Sequence, residues 1–416
     1  MDQNQDKSPN NYFLTWRYLL FWISSLLSNI GSWMQQVAQP WLVLSLSNSA
    51  FWVGFTGFAT TFPALLFTLP GGMLADRYDR KKVTLFFQFI QFLFVGVMLV
   101  LLIKGLLRVW MIIVISFIVG ITDALSVPSF QTIIPSLVAR KDIPRAVSLN
   151  STQFNLSRVL GPVIAGIVIA RYGGVACFSA NAISYLPFFI SIWFIYPRNR
   201  VKITTTTIQT KPVNQWFEIR DLLRIHAVRL PLVTVFAASF FCGPLVTFCP
   251  VIIKDVFHSG VGDFGWAMTA FGGGALIGAA VTFIPFRGPY GRNRIASAAA
   301  VLLGFIIIAI AMTHSFLLLS IMLVLAGITQ IAANISANTF LQENAADNLR
   351  GRITSLYQLA MYSGLSIGTL FTGFMVSRLG IVPAFVINGS IAVIIQSALL
   401  LRQLHQPIVN SFEVNK

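Results

Sequence analysis

Two charged side chains lie where charges are expensive. The 416-residue chain has 13 acids and 29 bases, and of these Asp123 in "GITDALSV" and Arg158 in "NLSRVLGP" fall deep within long apolar runs. An unpaired charge at the centre of a bilayer costs about 2.5–3.5 kcal/mol on insertion scales, so each needs a partner or water. Their depths can be compared. The turn between the two runs lies at Arg140 and Lys141, and Asp123 precedes Arg140 by the same interval at which Arg158 follows Lys141. On regular antiparallel helices the two reach similar depth. Two chemistries fit: a structural ion pair, or a carboxylate that binds and releases a proton. They are compatible if protonation of Asp123 breaks the pair. Burial would favour proton retention by Asp123, and a nearby Arg158 would oppose it.

Neutral polar residues form stripes around these charges. Ser25, Ser28, Asn29, Ser32, Gln35, Gln36 and Gln39 fall within an arc of about 120° on a helix. Gln330, Asn334 and Asn338 recur every four residues, and Thr122, Ser126 and Ser129 share another face. Lipid would penalise such faces, so they turn toward protein or water. The candidate cavity residues are Asn29, Ser32, Gln36, Ser126, Gln330, Asn334 and Asn338, with Trp33, Tyr357 and Tyr362 as candidate aromatic walls. The alternative is interhelical hydrogen bonding between buried amides. A cavity rich in amides and poor in charge suits a moderately large, amphipathic small molecule, and no dedicated carboxylate or phosphate clamp is legible. Neither a metal nor a cofactor is expected: His226, His258, His314 and His405 fall near span ends or loops, and Cys177, Cys242 and Cys249 lack ligand spacing. A membrane-embedded enzyme would need a polar constellation at depth, and ATP use a phosphate-binding loop; the sequence carries neither.

The elements that must hold these residues are helices. With 56% hydrophobic and 10% charged residues, the composition is that of an all-α, polytopic membrane protein. Twelve spans are expected, at 18–45, 51–75, 83–103, 108–131, 143–170, 174–196, 227–252, 263–286, 295–312, 316–340, 351–376 and 381–401. A net charge of +16 could suggest nucleic acid, but the bases are arranged otherwise. With both termini cytoplasmic, nearly all lie in inward segments, and only Lys104, Arg108, Arg171, Lys254 and Arg378 face outward. That is the positive-inside pattern of a multi-pass protein of the plasma or inner membrane, with no nucleic-acid partner. The polar break at 201–226 is a cytoplasmic linker between an N-terminal six-helix bundle, 1–200, and a C-terminal one, 227–416.

The two bundles repeat each other. Laid over one another without gaps, 120–181 and 327–388 bring Gly120-Ile121-Thr122 onto Gly327-Ile328-Thr329. Arg145 meets Arg352, Gly161 meets Gly368, Gly166 meets Gly373, Gly173 meets Gly380 and Asn181 meets Asn388. Asp123 and Arg158 meet Gln330 and Leu365. Both charges vanish together from the second copy. That fits a pair, and it equally fits a site built in the first half alone. Repeats of this kind place a transporter's binding site at midplane between them.

Between spans two and three runs "GGMLADRYDRKK", 71–82. Gly72 would allow close helix packing, and Asp76, at a helix C-terminus, needs a partner against the dipole. The run is similar to the signature loop of the major facilitator superfamily, G-x-L-A-D-R-x-G-R-K. Gly72, Leu74, Ala75, Asp76, Arg77, Arg80 and Lys81 match, and Asp79 replaces the second glycine. "GSWMQQVAQPWLVLSL" and "PSFQTIIPSLV" look like the branch containing the enterobactin exporter and macrolide efflux proteins. "RVLGPVIAG" resembles that superfamily's antiporter motif through Arg158, Gly161, Pro162 and Gly166. The resemblance implies two six-helix halves that rock about a central cavity walled by spans one, four, seven and ten. It implies a cytoplasmic latch at Gly72, Asp76, Arg77 and Arg80, and helix packing at Gly161, Pro162 and Gly166. It implies export of a siderophore- or drug-like molecule by a monomer within the lipid bilayer, with protons as the coupling ion. A lipid or lysolipid translocator, or a scaffold of the same fold that transports nothing, are the alternatives.

Overall fold

The computed structural model describes residues 16–138, 142–194, 225–282, 291–345 and 349–405. Its helices follow from the medium: long apolar runs must satisfy their own backbone, and short polar breaks end them. The first half contains α1 (Trp16–Ser47), α2 (Ala50–Thr61), α3 (Pro63–Arg77), α4 (Arg80–Ile103), α5 (Val109–Ile133), α6 (Ile143–Tyr172) and α7 (Gly174–Phe194). The second contains α8 (His226–Phe241), α9 (Pro244–Asp255), α10 (Val261–Val281), α11 (Gly291–Met312), α12 (Phe316–Asn344), α13 (Arg350–Leu379) and α14 (Ile381–His405). These match the twelve expected spans, two of them broken; of the expected spans 174–196 and 263–286, residues 195–196 and 283–286 lie outside the described residues. Span two is α2 plus α3 and span seven is α8 plus α9; in each, a proline opens the second piece and ends the hydrogen-bond ladder of the first. Of 201–226, only the last two residues are described, and His226 already belongs to α8.

Among the described residues, eleven spans are long and apolar enough to cross a membrane, by length and composition. The remaining one, α1, is 32 residues long and carries the polar stripe. The repeat holds in three dimensions. Helices α5, α6 and α7 begin at Val109, Ile143 and Gly174, and α12, α13 and α14 begin at the matching positions of the second copy, Phe316, Arg350 and Ile381. Gly173 and Gly380 close α6 and α13 with φ of +78° and +86°, a left-handed cap that a side chain would strain.

One end of the molecule carries the start of α1 and the end of α14, and is called here the terminal end; the opposite one is the far end. The two ends are packed differently. At the far end a single apolar core draws on both halves, including Met34, Val53 and Ile112 with Leu245, Phe248 and Phe264. Trp41 stacks on Phe264 with ring centroids 5.3 Å apart, and Lys254 donates to the Asn48 side chain. At the terminal end the cores are separate. Tyr18, Phe21, Leu137 and Phe188 cluster within the first half, and Val228, Leu232, Leu341 and Ile353 within the second. The halves are therefore joined at the far end and at mid-depth, where Val159 packs with Ala275 and Ile331, and their separate terminal-end cores leave a cleft between them there.

Glycine backbones make the seam between halves. A Cβ on Gly166 would stand 2.5 Å from Gly265 O, and one on Gly54 would stand 2.5 Å from Thr369 O. The motif glycine Gly161 serves inside the first half, where a Cβ would stand 2.3 Å from Trp33 Cβ. Its repeat partner Gly368 does the same against Phe240, which is the repeat partner of Trp33. Pro162 is buried within α6.

Candidate functional site

Asp123 and Arg158 lie mid-helix on α5 and α6 of the first half. Asp123 is exposed although it lies mid-helix on α5, between the buried Thr122 and Ala124. Tyr362 of the second half feels its charge, so Asp123 lies on the side of α5 turned toward the other half. Gln91 of α4 lies beside it; the Gln91 Nε2 is buried and closes no hydrogen bond in this conformation. Tyr185 of α7 and Tyr362 of α13 also lie within the electrostatic reach of Asp123. Arg158 is half-buried on α6. Its guanidinium carbon lies 5.9 Å from the ring centroid of Trp33, and the Tyr357 hydroxyl is beside it. Tyr357 in turn donates to the Asn334 carbonyl at 3.2 Å.

Asp123 and Arg158 do not form an ion pair with each other in this arrangement. Tyr362 feels both charges. The acid is flanked by the neutral Gln91 and Tyr185, and the base is held by an aromatic face and a phenol.

The amide stripe of α1 divides in two. Gln35 and Gln39 are buried and make helix-to-helix bonds: Asn181 Nδ2 donates to Gln35 Oε1 at 2.7 Å, and Gln39 Nε2 donates to Ser116 Oγ at 3.0 Å. Ser25 and Ser28 are buried with them. Gln36 is exposed to the cleft, and Asn29 and Ser32 are half-buried beside it. Ser32 also donates to Asn181 Oδ1 at 3.4 Å. Gln330, Asn334 and Asn338 are half-buried along α12, with Asn338 Oδ1 accepting from Gln342 Nε2 at 3.0 Å. Ser126 lies apart from these, 2% exposed in the packing of α5. Each position follows from helix azimuth: residues about 100° apart on one stripe can meet different neighbours.

A further polar face escaped the reading of the sequence. Ser148, Ser151, Thr152 and Asn155 are exposed on the terminal half of α6 and lead up to Arg158. Their spacing of three and four residues is a helical stripe, so the signal was present. Gln91 and Tyr185 carried none, because only helix packing brings them to Asp123.

The 71–82 turn departs from expectation in one respect. Gly72 has open space around it, and the close packing expected there belongs to Gly71, whose Cβ would stand 2.7 Å from Ala124 O. One residue is a rotation of about 100°, enough to exchange the packed face for the free one. Arg77 is exposed and Arg80 half-buried; the Asp76 side chain lies outside the described residues. Asp79, which stands where the signature has glycine, caps α4: its Oδ1 accepts from Lys82 N at 3.0 Å. Asp79→Ala is expected to lower stability by about 1 kcal/mol, read as a lower midpoint of thermal unfolding in detergent. An unchanged midpoint would mean that the cap is idle.

Comparison with known proteins adds to this geometry. The sequence profile of a transmembrane secretion effector family matches residues 13–415. The staphyloferrin A transporter of Staphylococcus aureus is 27% identical over 376 residues, covering 89% of this chain and 92% of that one. The multidrug efflux pump Tap of Mycobacterium tuberculosis is 24% identical over 374 residues, covering 88% of each chain. Among solved structures, a bacterial homolog of the human lysosomal transporter Spinster, inward-facing and unoccupied, matches with a TM-score of 0.73 at 14% identity. That match covers 94% of this chain and 97% of the other.

Proposed function

Because the chain belongs to the transmembrane secretion effector family of the major facilitator superfamily, a multi-pass membrane transporter of the efflux type, we propose that it exports a small amphipathic organic molecule by proton antiport. One observation carries this reading: a cleft open at the terminal end, closed at the far end, with a deep exposed acid at its apex. The cleft is walled by the neutral amides Asn29, Gln36, Gln330, Asn334 and Asn338 and by the aromatics Tyr357 and Tyr362. Such a surface can hold a mixed polar and apolar molecule, and the names of the relatives support a siderophore- or drug-like cargo. The base distribution supports a cytoplasmic terminal end in the bacterial inner membrane, so the open cleft would load from the cytoplasm. Rocking of the halves about the glycine seam then exposes the cargo on the far side.

In this cycle Asp123 exchanges a proton for the cargo. It makes no salt bridge to Arg158 and its near neighbour Gln91 is neutral, so taking up a proton breaks no ion pair. Asp76, Arg77 and Arg80 would latch the terminal end once the halves close there.

Everted membrane vesicles containing the chain test the reading. Across a panel of siderophores and drugs, at least one compound should accumulate inside, and only under an imposed proton gradient. Replacing Gln36 and Asn334 by Leu should change which compounds accumulate while insertion stays intact. Accumulation that ignores the gradient would refute antiport. Movement of fluorescent lysolipid, with none of the panel, would establish the lipid translocator instead.

A further inference from the structure

Arg158 is a cation without an anion. Among the described residues no acid pairs with it, although it lies mid-span where an unmatched charge is costly. Its surroundings are built rather than incidental. Trp33 provides a face beneath the guanidinium at 5.9 Å, a contact that favours a cation without neutralising it. Gly161, one turn further along α6, leaves the room in which Trp33 packs, since a Cβ there would stand 2.3 Å from Trp33 Cβ. Tyr357 lies beside the guanidinium, and its hydrogen is committed to the Asn334 carbonyl at 3.2 Å. Its oxygen is thereby turned to accept from the arginine. A phenol oxygen satisfies one donor of a group that has five.

We propose that Arg158, floored by Trp33 and oriented by Tyr357, is the subsite for a carboxylate group of the exported molecule, an inference that rests on the export reading for its cargo. A planar guanidinium offers two parallel N–H donors that match the two oxygens of a carboxylate. Asp123, at similar depth in the same cleft, disfavours a second anionic group near itself, so the fitting cargo carries its carboxylate at the Arg158 side and a neutral or cationic part toward Asp123. Trp33 and Arg158 belong to the first half and Tyr357 to the second. A carboxylate held there touches both halves, which would tie cargo binding to their rocking. The second half lacks the base, with Leu365 at the repeat position, so the molecule has one such subsite by this count.

Titration of the full chain in lipid nanodiscs, followed by saturation-transfer NMR, tests this with benzoate, benzamide and phenylphosphonate as probes. Benzoate binding should weaken about tenfold or more in Arg158→Gln, the worth of a hydrogen bond to a charged group, with benzamide binding unchanged. Arg158→Lys keeps the charge but not the fork and should fall between. Tyr357→Phe should weaken benzoate and leave benzamide alone. Equal benzoate binding by the unaltered chain and Arg158→Gln overturns the proposal; so does an absence of benzoate binding, or a preference for phenylphosphonate. If Arg158→Gln fails to insert, the Lys and Phe variants decide, and unchanged benzoate binding in both overturns it. Binding needs no turnover. Lost export with intact benzoate binding therefore counts against the export reading alone.

Discussion

Asp123→Asn should abolish gradient-driven accumulation while leaving the chain inserted and folded. One proton moved down a gradient of one pH unit supplies about 1.4 kcal/mol, or about tenfold in accumulation. Everted vesicles carrying the variant should therefore lose about tenfold accumulation per pH unit and retain only downhill exchange. Stability should hold because the substitution breaks no ion pair: the carboxylate is exposed in the cleft, and its close neighbour Gln91 is neutral. The double variant Asp123→Gln with Arg158→Leu copies the second half of the repeat and tests whether the two charges serve only each other. If the acid served chiefly as the partner of Arg158, removing both would restore export. Their separation in the structure leads to the opposite expectation, a well-inserted and inactive double variant. Restored gradient-driven export would refute the coupling role of Asp123.

The second large effect is expected at the glycine seam. A side chain at Gly166 would meet Thr269 Oγ1 at 2.3 Å, and Gly265 O and Thr269 N at 2.5 Å. Two of these three atoms are backbone and cannot swing aside. Overpacking of this kind costs about 1–3 kcal/mol or more, and it acts only where the halves touch at the far end. Gly166→Leu should therefore disfavour the arrangement described here and populate one with the far end parted and the terminal end closed. Labelling reports it. With Gln36→Cys as the target, a membrane-impermeant thiol reagent added from the terminal side should react readily, and about tenfold more slowly once Gly166→Leu is added, since about 1.4 kcal/mol is a factor of ten. The native Cys177, Cys242 and Cys249 are buried and should not compete. An unchanged labelling rate in a folded variant would show that the seam yields without moving the halves. Gly54→Leu, in the symmetric contact with Thr369 and Gly373, should behave alike.

Several of these features were legible before any coordinates. Span positions follow from apolar runs, and the glycine matches between the two copies found the paired helices. The limits are equally specific. Prolines break spans two and seven at Pro63 and Pro244, yet Pro40, Pro70, Pro128, Pro162, Pro187, Pro231 and Pro250 lie within continuous helices. Neighbouring helices re-satisfy the backbone at some prolines and not at others, and no local pattern tells which. The α1 stripe read as one polar face, and packing divided it: Gln35 and Gln39 were taken up by Asn181 and Ser116, which lie far away in sequence.

Partition between water and lipid acts on each segment separately, so class, span number, approximate span positions and the duplication were all written in the chain. The rarity of Asp123 and Arg158 at depth, and their joint loss from the second copy, belong to that same layer. Depth is a one-dimensional property, counted in residues from a turn. Which way a side chain points around its helix, and what it meets, depends on the packing of segments far apart in the chain. Only assembled helices could therefore put Gln91 beside Asp123, set Arg158 on Trp33 and against Tyr357, and open one end of the molecule while glycines sealed the other.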